Sequence, residues 1–160
     1  MADPALLLLD VDGVLVPVGP GDGTEMVEAL GAGGGIRYSA ALPARLATLA
    51  EMFSLVWCTS WGQEANEVLC PLFGLPPLPV IDFGDLTFRV GQTWKLPTIR
   101  TYVRDRPFAA IDDEFGADAH RWASRRSIPT LLLDVRADRG LTQEHVDALL
   151  YFAATVAVSV

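Results

Sequence analysis

Short apolar runs alternate along the chain with longer segments in which apolar residues recur at helical spacing. The runs predict five strands, in chain order 5–11, 54–58, 78–81, 108–111 and 130–133. The helical spacing predicts five helices, at 42–53, 63–70, 97–104, 117–126 and 142–154. Strands that alternate with helices in this way are typical of an α/β fold with a mainly parallel sheet.

Proline, threonine and glycine fix several of these boundaries. Pro43 fits the first turn of the first helix, and Pro71 is expected to stop the second. Thr142 suits the N-cap of the last helix, because Gly140 frees the turn before it.

Two segments show no clear period. Residues 14–39 are rich in glycine and proline and are predicted to form a flap with little regular structure, whereas 75–93 offers at most a hairpin. The glycine run at 31–35 follows no predicted strand and opens no helix, which favours a flap over a phosphate-binding loop. We find no internal repeat or linker, so we expect one domain over 1–160 without a large cap.

Composition limits the choice of partners. At 160 residues and 51% hydrophobic, the chain can bury one core without a disulfide or a structural metal. Its net charge of −8 argues against coating nucleic acid non-specifically, because that mode of binding depends on many cationic contacts with phosphate. A nucleic-acid partner is therefore not favoured by composition. A phosphorylated substrate would need local positive charge or a bound cation.

The remaining bulk features predict a cytoplasmic protein without membrane association. Cys58 and Cys70 provide no disulfide framework and are expected to be small buried residues in a reducing compartment. The N-terminus lacks the basic stretch of a signal peptide. The longest mostly apolar segment, 148–158, is too short to span a bilayer.

Polar residues that could carry chemistry follow the predicted strands. Since the carboxyl ends of parallel strands share one edge of a sheet, such residues are expected to meet there. Asp82 and Asp134 follow the third and fifth strands without similar neighbours and rank lower, and Glu114 is interpreted as a helix-start or surface acid. The main candidates follow the first, second and fourth strands or precede the helix that leads to the fourth, and they are Asp10, Asp12, Thr59, Ser60, Asp112, Asp113 and Lys95.

Four carboxylates at one edge require compensation. Two like charges near 4 Å repel by about 4 kcal/mol at an effective dielectric of about 20. A divalent cation removes this cost, and hard oxygen ligands favour Mg²⁺, which also accepts a substrate phosphate oxygen. His120 and His145 stand alone on predicted helices and are interpreted as surface residues, so no zinc site is expected.

These residues resemble the signature motifs of the haloacid dehalogenase-like (HAD) phosphohydrolase superfamily. The resemblance spans about 5–133 and rests on the run DVDGVL at 10–15, followed in order by Thr59, Lys95 and Asp112–Asp113. It implies a Rossmann-like three-layer sandwich with strand order 5-4-1-2-3 and a Mg²⁺ cofactor. Members that cleave carbon–halogen bonds lack the second aspartate of the run, so Asp12 favours phosphatase or phosphotransferase chemistry.

The resemblance also implies a role for each position. Asp10 would attack phosphorus and become a transient aspartyl phosphate. Asp12 would act as general acid and then as general base. Thr59, or Ser60 if the frame is displaced by one, would bind the phosphoryl group, and Lys95 would neutralise its charge. The implied Mg²⁺ ligands are Asp10, the Asp12 backbone carbonyl, Asp112 and, directly or through water, Asp113.

Several neighbouring residues allow two interpretations. Trp61 and Trp94 either line the mouth of the site and stack on a substrate or support the core, whereas Trp57 is expected in the core. Arg121, Arg125 and Arg126 recur at helical spacing and either form a solvated face or guide an anionic substrate.

The sequence therefore predicts a Mg²⁺-dependent phosphomonoesterase with an open cleft. Among similar proteins, small caps accompany macromolecular substrates or oligomers in which a neighbour covers the site, so a homo-oligomer is one expectation. A polynucleotide-end phosphatase is the alternative enzyme, and a non-catalytic binding module of the same fold is the alternative outside enzymes. The identity of the phosphorylated substrate cannot be read from the flap residues.

Overall fold

The computed structural model describes residues 3–31, 34–84 and 91–159. Within these ranges four strands form a parallel sheet, in the order β4-β1-β5-β6, and two more form an antiparallel hairpin, β2 with β3. In chain order they are β1 (Leu6–Leu9), β2 (Met26–Gly31), β3 (Gly34–Ser39), β4 (Ser54–Trp57), β5 (Phe108–Asp112) and β6 (Thr130–Asp134). The predicted α/β class with a parallel sheet is confirmed.

Helices cover both faces of the sheet. One face packs against α1, α2 and α5, and the other against α3 and α4, which gives the predicted three layers. No helix within the described ranges is long and apolar enough to cross a membrane. The helices are α1 (Leu42–Met52), α2 (Cys70–Phe73), α3 (Leu96–Val103), α4 (Ala117–Arg125) and α5 (Gln143–Val158), and a π-helical segment, Ala65–Leu69, runs directly into α2.

The interior strand β1 explains why the core signal is so strong in the sequence. All four of its leucines are buried. Leu7 and Leu9 pack toward α1 and α5, and Leu6 and Leu8 pack toward α3, because side chains alternate along a strand. A strand covered on both faces has no solvent-facing positions, so its sequence is continuously apolar. Asp10 is the first polar residue after this run and stands at the carboxyl end of the sheet.

The predicted strand at 78–81 is reduced to a single bridge between Val80 and Trp57, parallel to β4. Its position confirms the predicted order 5-4-1-2-3, but a ladder does not develop because Pro77 and Pro79 cannot donate backbone hydrogen bonds. The Asn66 side chain holds this segment, since it accepts from the Leu78 N–H and donates to the Leu78 carbonyl, both at 2.8 Å. Residues 85–90 of the hairpin predicted within 75–93 lie outside the described residues.

Two predictions of local structure are wrong. Pro71 does not stop a helix but lies in the first turn of α2, where a missing N–H is tolerated, and the helix ends at Gly74 with φ +70°. The segment 14–39 is not without regular structure, because 26–31 and 34–39 form the hairpin. Glycines there obscure an alternation that is visible in β3, where Ile36 is half-buried and Arg37 is exposed.

The base of the hairpin is tied to the first helix layer. Arg45 of α1 pairs with Asp22 at 2.9 Å, and both side chains are almost fully buried. Arg45 also donates to the Leu141 carbonyl at 3.1 Å. The chain before β2 is therefore fixed against α1 and the start of α5.

Candidate active site

Lys95 lies between two carboxylates at the carboxyl end of the sheet. Its Nζ is 3.0 Å from Asp10 Oδ1 and 2.6 Å from Asp112 Oδ2, and all three side chains are at most 10% exposed. It also donates to the Cys58 carbonyl at 3.0 Å. Strands β1, β4 and β5 therefore each position one partner of this lysine, either in the strand or directly after it.

The loop before Lys95 is anchored by α4, a feature that the sequence did not reveal. Asp118, in the first turn of α4, accepts hydrogen bonds from the Thr93 N–H at 2.9 Å and from the Thr93 hydroxyl at 2.7 Å. Thr93 Oγ1 accepts in turn from the Gly116 N–H at 2.8 Å. Against the opposing effect of burial, the hydrogen bonds from Thr93 lower the pKa of Asp118. A charged Asp118 thus fixes the chain two residues before Lys95.

Negative charge is crowded around Lys95. Burial raises the pKa of Asp10 to about 7 although Lys95 lowers it, and Asp112 adds to the rise. Burial and the Asp112 charge also raise the pKa of Asp113. For Lys95, burial alone would lower the pKa, but Asp112 and other neighbours raise it above its usual value. The lysine therefore stays charged, whereas the acids lack sufficient positive charge.

Three of these acids form a group suited to a cation. Among the described residues, Asp10, Asp112 and Asp113 each offer a carboxylate oxygen, and these oxygens lie within 4.8 Å of one another. A hard divalent ion such as Mg²⁺ fits such a donor set. It would also supply the positive charge that the raised pKa values of Asp10 and Asp113 show to be lacking. The residues therefore fit the predicted cofactor.

Asp12 has a different environment from Asp10 although only one residue separates them. Its carboxylate is exposed and accepts a hydrogen bond from Trp61 Nε1 at 2.9 Å. Gly13 turns the chain away with φ +76°, and a Cβ added there would lie 2.5 Å from Asp113 Oδ2. Glycine is thus required at position 13 both by its conformation and by the closeness of Asp113.

Thr59 and Ser60 lie beside this group. The Thr59 side chain is buried, and its Oγ1 accepts from the Trp61 N–H at 3.3 Å, whereas Ser60 is exposed. Both line a hollow of about 340 Å³, which is also lined by Ile81 and Phe83. The hollow is lined by Thr59, the residue after Cys58, whose carbonyl accepts from Lys95, and it is large enough to receive part of a substrate.

The two tryptophans at the rim hold carboxylates through their indole N–H groups. Besides the bond from Trp61 to Asp12, Trp94 Nε1 donates to Glu114 Oε2 at 3.3 Å. The Trp94 ring also packs edge-on against Phe83, with 5.0 Å between ring centroids, and Lys95 Nζ lies 5.3 Å from its centroid. These contacts show that each ring supports an acid, and Trp61 also packs against the core, whereas stacking on a substrate stays a prediction.

The remaining candidates lie outside the acidic group. His120 pairs with Asp134 at 2.9 Å at the end of β6, and the Asp82 carboxylate accepts from a backbone N–H two residues later. The interpretation of His145 as a simple surface residue is wrong, because it is half-buried and forms a capping box with Thr142 at the start of α5. As expected, Trp57, Cys58 and Cys70 are buried, and both thiols are free.

A parallel sheet with acids and a buried lysine at its carboxyl end is the arrangement expected of an HAD-type phosphohydrolase. Residues 6–146 match the family of the HAD domain in Swiss Army Knife RNA repair proteins, and the chain belongs to that family. No curated protein matches the chain. Membership of the family confirms the resemblance in the sequence motifs and identifies the protein as a hydrolase of the phosphatase type.

Proposed function

We propose that the protein is a Mg²⁺-dependent phosphomonoesterase that acts through an aspartyl phosphate on Asp10. The observation that carries this proposal is the position of Lys95 Nζ, 3.0 Å from Asp10 and 2.6 Å from Asp112, beside a group of acids suited to a cation. A structural ion pair would need only one acid, whereas this arrangement keeps three carboxylates close together. Such crowding favours a site built to receive a cation and a phosphoryl group.

The first half of the reaction uses both acids of the run at 10–12. An Asp10 carboxylate oxygen attacks phosphorus, and the bond from phosphorus to the leaving oxygen breaks. Asp12 donates a proton to that oxygen, so the alcohol leaves neutral. Lys95 holds Asp10 in place and offsets charge on the phosphoryl oxygens, and Thr59 or Ser60 donates a hydrogen bond to them.

The second half restores the enzyme. Asp12, now a carboxylate, takes a proton from a water molecule, and the oxygen of that water attacks phosphorus. The bond between Asp10 and phosphorus breaks and inorganic phosphate is released. The exposure of Asp12 supports this role, because leaving group and water must both reach it. The bond from Trp61 keeps its carboxylate near the reacting atoms.

The carboxylates of Asp10, Asp112 and Asp113, with the Asp12 backbone carbonyl, would hold the Mg²⁺ ion. When bound, the ion supplies positive charge that favours the ionised form of Asp10 and offsets the charge of the phosphoryl group. Lys95 alone serves two acids and cannot fully supply that charge.

Purified protein should release phosphate from an aryl phosphate with Mg²⁺ and stop when a chelator is added. Asp10→Asn should lower turnover by roughly 10⁴- to 10⁶-fold, as loss of a nucleophile does in other enzymes. Asp134→Asn is the matched control, because Asp134 also ends a strand but is exposed and pairs with His120. Full activity in Asp10→Asn would refute the mechanism, and no turnover or phosphoryl transfer to Asp10 in the wild type would favour a non-catalytic binding module.

The family description favours a second, more specific function, the removal of a terminal phosphate from a polynucleotide. The family to which the chain belongs is described from RNA repair proteins. The exposed Asp12 also suits a leaving group that is part of a large molecule. Turnover of an oligoribonucleotide with a 3′- or 5′-terminal phosphate should then exceed turnover of free nucleotides and sugar phosphates. The reverse order would exclude this function and leave the general phosphatase.

A further inference from the structure

Basic charge is concentrated on one side of this acidic protein. The arginine cluster lies on α3, α4 and the segments after them and contains 6 of the chain's 12 lysine and arginine residues, namely Arg100, Arg104, Arg106, Arg121, Arg125 and Arg126. It is organised around Trp122, since the guanidinium carbons of Arg100 and Arg126 lie 5.4 and 5.1 Å from that ring. Arg126 also donates to the Arg104 and Arg106 carbonyls, which joins the two segments.

Half of the cluster is not used to hold the fold together. The structure gives the Arg104, Arg121 and Arg125 side chains no hydrogen bond or ion pair with any described residue, and all three residues are exposed. Arg121 and Arg125 are four residues apart on α4 and therefore lie on one helix face. Exposed, unpaired guanidinium groups in a chain of net charge −8 create a local positive field that attracts an anion.

This cluster is connected to the active site along α3. Lys95 precedes the first residue of α3 and Arg104 follows the last, so the eight-residue helix separates them by about 12 Å. The hollow beside Thr59 adjoins a second hollow of about 540 Å³, and the two share Ile81 and Asp82 as a wall. Tyr102 and Arg104 line the far end of this second hollow. The two hollows thus form a groove from Thr59, which directly follows the Cys58 whose carbonyl Lys95 contacts, to Arg104, the member of the arginine cluster that lines it.

We propose that this groove and the arginine cluster form the path of an RNA strand whose terminal phosphate enters the active site. The inference rests on the proposed phosphatase function. A length of 12 Å corresponds to three or four phosphates at about 3.4 Å per nucleotide of a stacked strand. The strand places its backbone on the arginines, and Tyr102 offers a ring on which a base can stack. Asp82, in the shared wall, repels phosphate but can accept a hydrogen bond from a ribose 2′-hydroxyl.

The test compares one macromolecular and one small substrate in the same protein. The double variant Arg121→Gln/Arg125→Gln removes two positive charges from exposed positions. Ala47→Glu/Ala50→Glu changes the net charge by the same amount on exposed positions of α1, on the other face of the sheet. For each protein, kcat/KM is measured for a short oligoribonucleotide with a terminal phosphate and for an aryl phosphate, over a range of salt concentrations.

The ratio of the two kcat/KM values should fall about tenfold in the arginine variant and stay unchanged in the α1 control. The salt slope for the oligonucleotide should decrease by about 1.4, because each single-strand phosphate contact contributes about 0.7. Equal ratios in all three proteins would overturn the path but leave the phosphatase intact. A changed oligomeric state with an unchanged ratio would assign the cluster to a second copy of the chain instead. No turnover of either substrate by the wild type would refute the proposed function itself.

Discussion

The two ends of α3 use positive charge in opposite ways. At its start, Lys95 is almost fully buried and contacts Asp10, Asp112 and a backbone carbonyl. At its end, Arg104 is exposed, and the arginine cluster to which it belongs contains other exposed arginines. The buried charge is held at one position, whereas the exposed charges act together and none needs a fixed position. We therefore expect single substitutions to have large effects at the first end and small, additive effects at the second.

Replacing Lys95 with methionine is the strongest test of this difference. Lys95→Met leaves buried acids without their cation, so we expect the free energy of unfolding to fall by about 3 kcal/mol. Turnover of an aryl phosphate should fall by roughly 10²- to 10³-fold. Arg104→Met removes an exposed charge, so its free energy of unfolding, measured with urea, should differ from that of the wild type by less than about 0.5 kcal/mol. Similar losses of stability in both variants would contradict the comparison.

A smaller effect is expected when Asp12 is kept but the hydrogen bond that supports its carboxylate is removed. Trp61→Phe retains the ring and loses the N–H that bonds Asp12. With an alkyl phosphate, whose leaving oxygen needs a proton, kcat should fall about 10- to 100-fold. With a dinitrophenyl phosphate, whose leaving group is a stable anion, the loss should be about twofold.

Trp94→Phe is the matched control for that experiment. Trp94 donates to Glu114 rather than to Asp12, so any loss should be equal for the two substrates. Equal losses in Trp61→Phe as well would show that Trp61 only supports the fold.

Next in size is a pH effect at the start of α5, on the active-site end of the sheet. Burial lowers the pKa of His145 from its usual 6.5, and the neutral Nδ1 accepts from the Thr142 N–H at 3.0 Å. The folded state therefore disfavours the protonated ring. The stabilisation is complete above pH 6.5 and is lost as the pH falls through the lowered pKa.

His145→Gln isolates this contribution, because glutamine at the same helix position can form a capping box and does not titrate. Urea unfolding at neutral and mildly acidic pH should show the wild type losing about 1 kcal/mol more than the variant. A constant difference between the two proteins across this range would show that His145 does not titrate with folding.

The smallest expected effect belongs to the arginine end of α3. Arg121→Gln alone should lower kcat/KM for a phosphorylated oligoribonucleotide about threefold, as an exposed charge contributes about 0.6 kcal/mol. Arg125→Gln should have a similar effect, and the two should multiply in the double variant because exposed, unpaired charges act independently. A single variant that alone loses tenfold or more would mean that one arginine holds a phosphate in a fixed geometry.

The positions of the acids could be predicted from the sequence because the carboxyl ends of parallel strands share one edge of the sheet. Polar residues that directly follow different apolar strands are therefore brought close together at that edge. Asp10, Lys95 and Asp112 are brought together as predicted, and Asp113 joins them. Each lies in or next to a regular element, where periodicity fixes its location.

The contacts that support those acids could not be predicted in the same way. Trp61 reaches Asp12 across 49 positions of the chain and Asp118 reaches Thr93 across 25 positions. Both contacts depend on the paths of loops, for which the sequence offers no period. The hairpin was also missed, because glycine weakens the alternation by which a strand is recognised.

The segment that Asn66 holds against β4 has a consequence for solubility. β4 is the outermost strand on its side of the described sheet, and such a strand can pair with other molecules through its free backbone groups. Here Trp57 exchanges hydrogen bonds with the Pro79 carbonyl and the Ile81 N–H. By holding this segment, one amide side chain keeps backbone groups of β4 at Trp57 occupied and so makes pairing of this strand with another molecule less favourable.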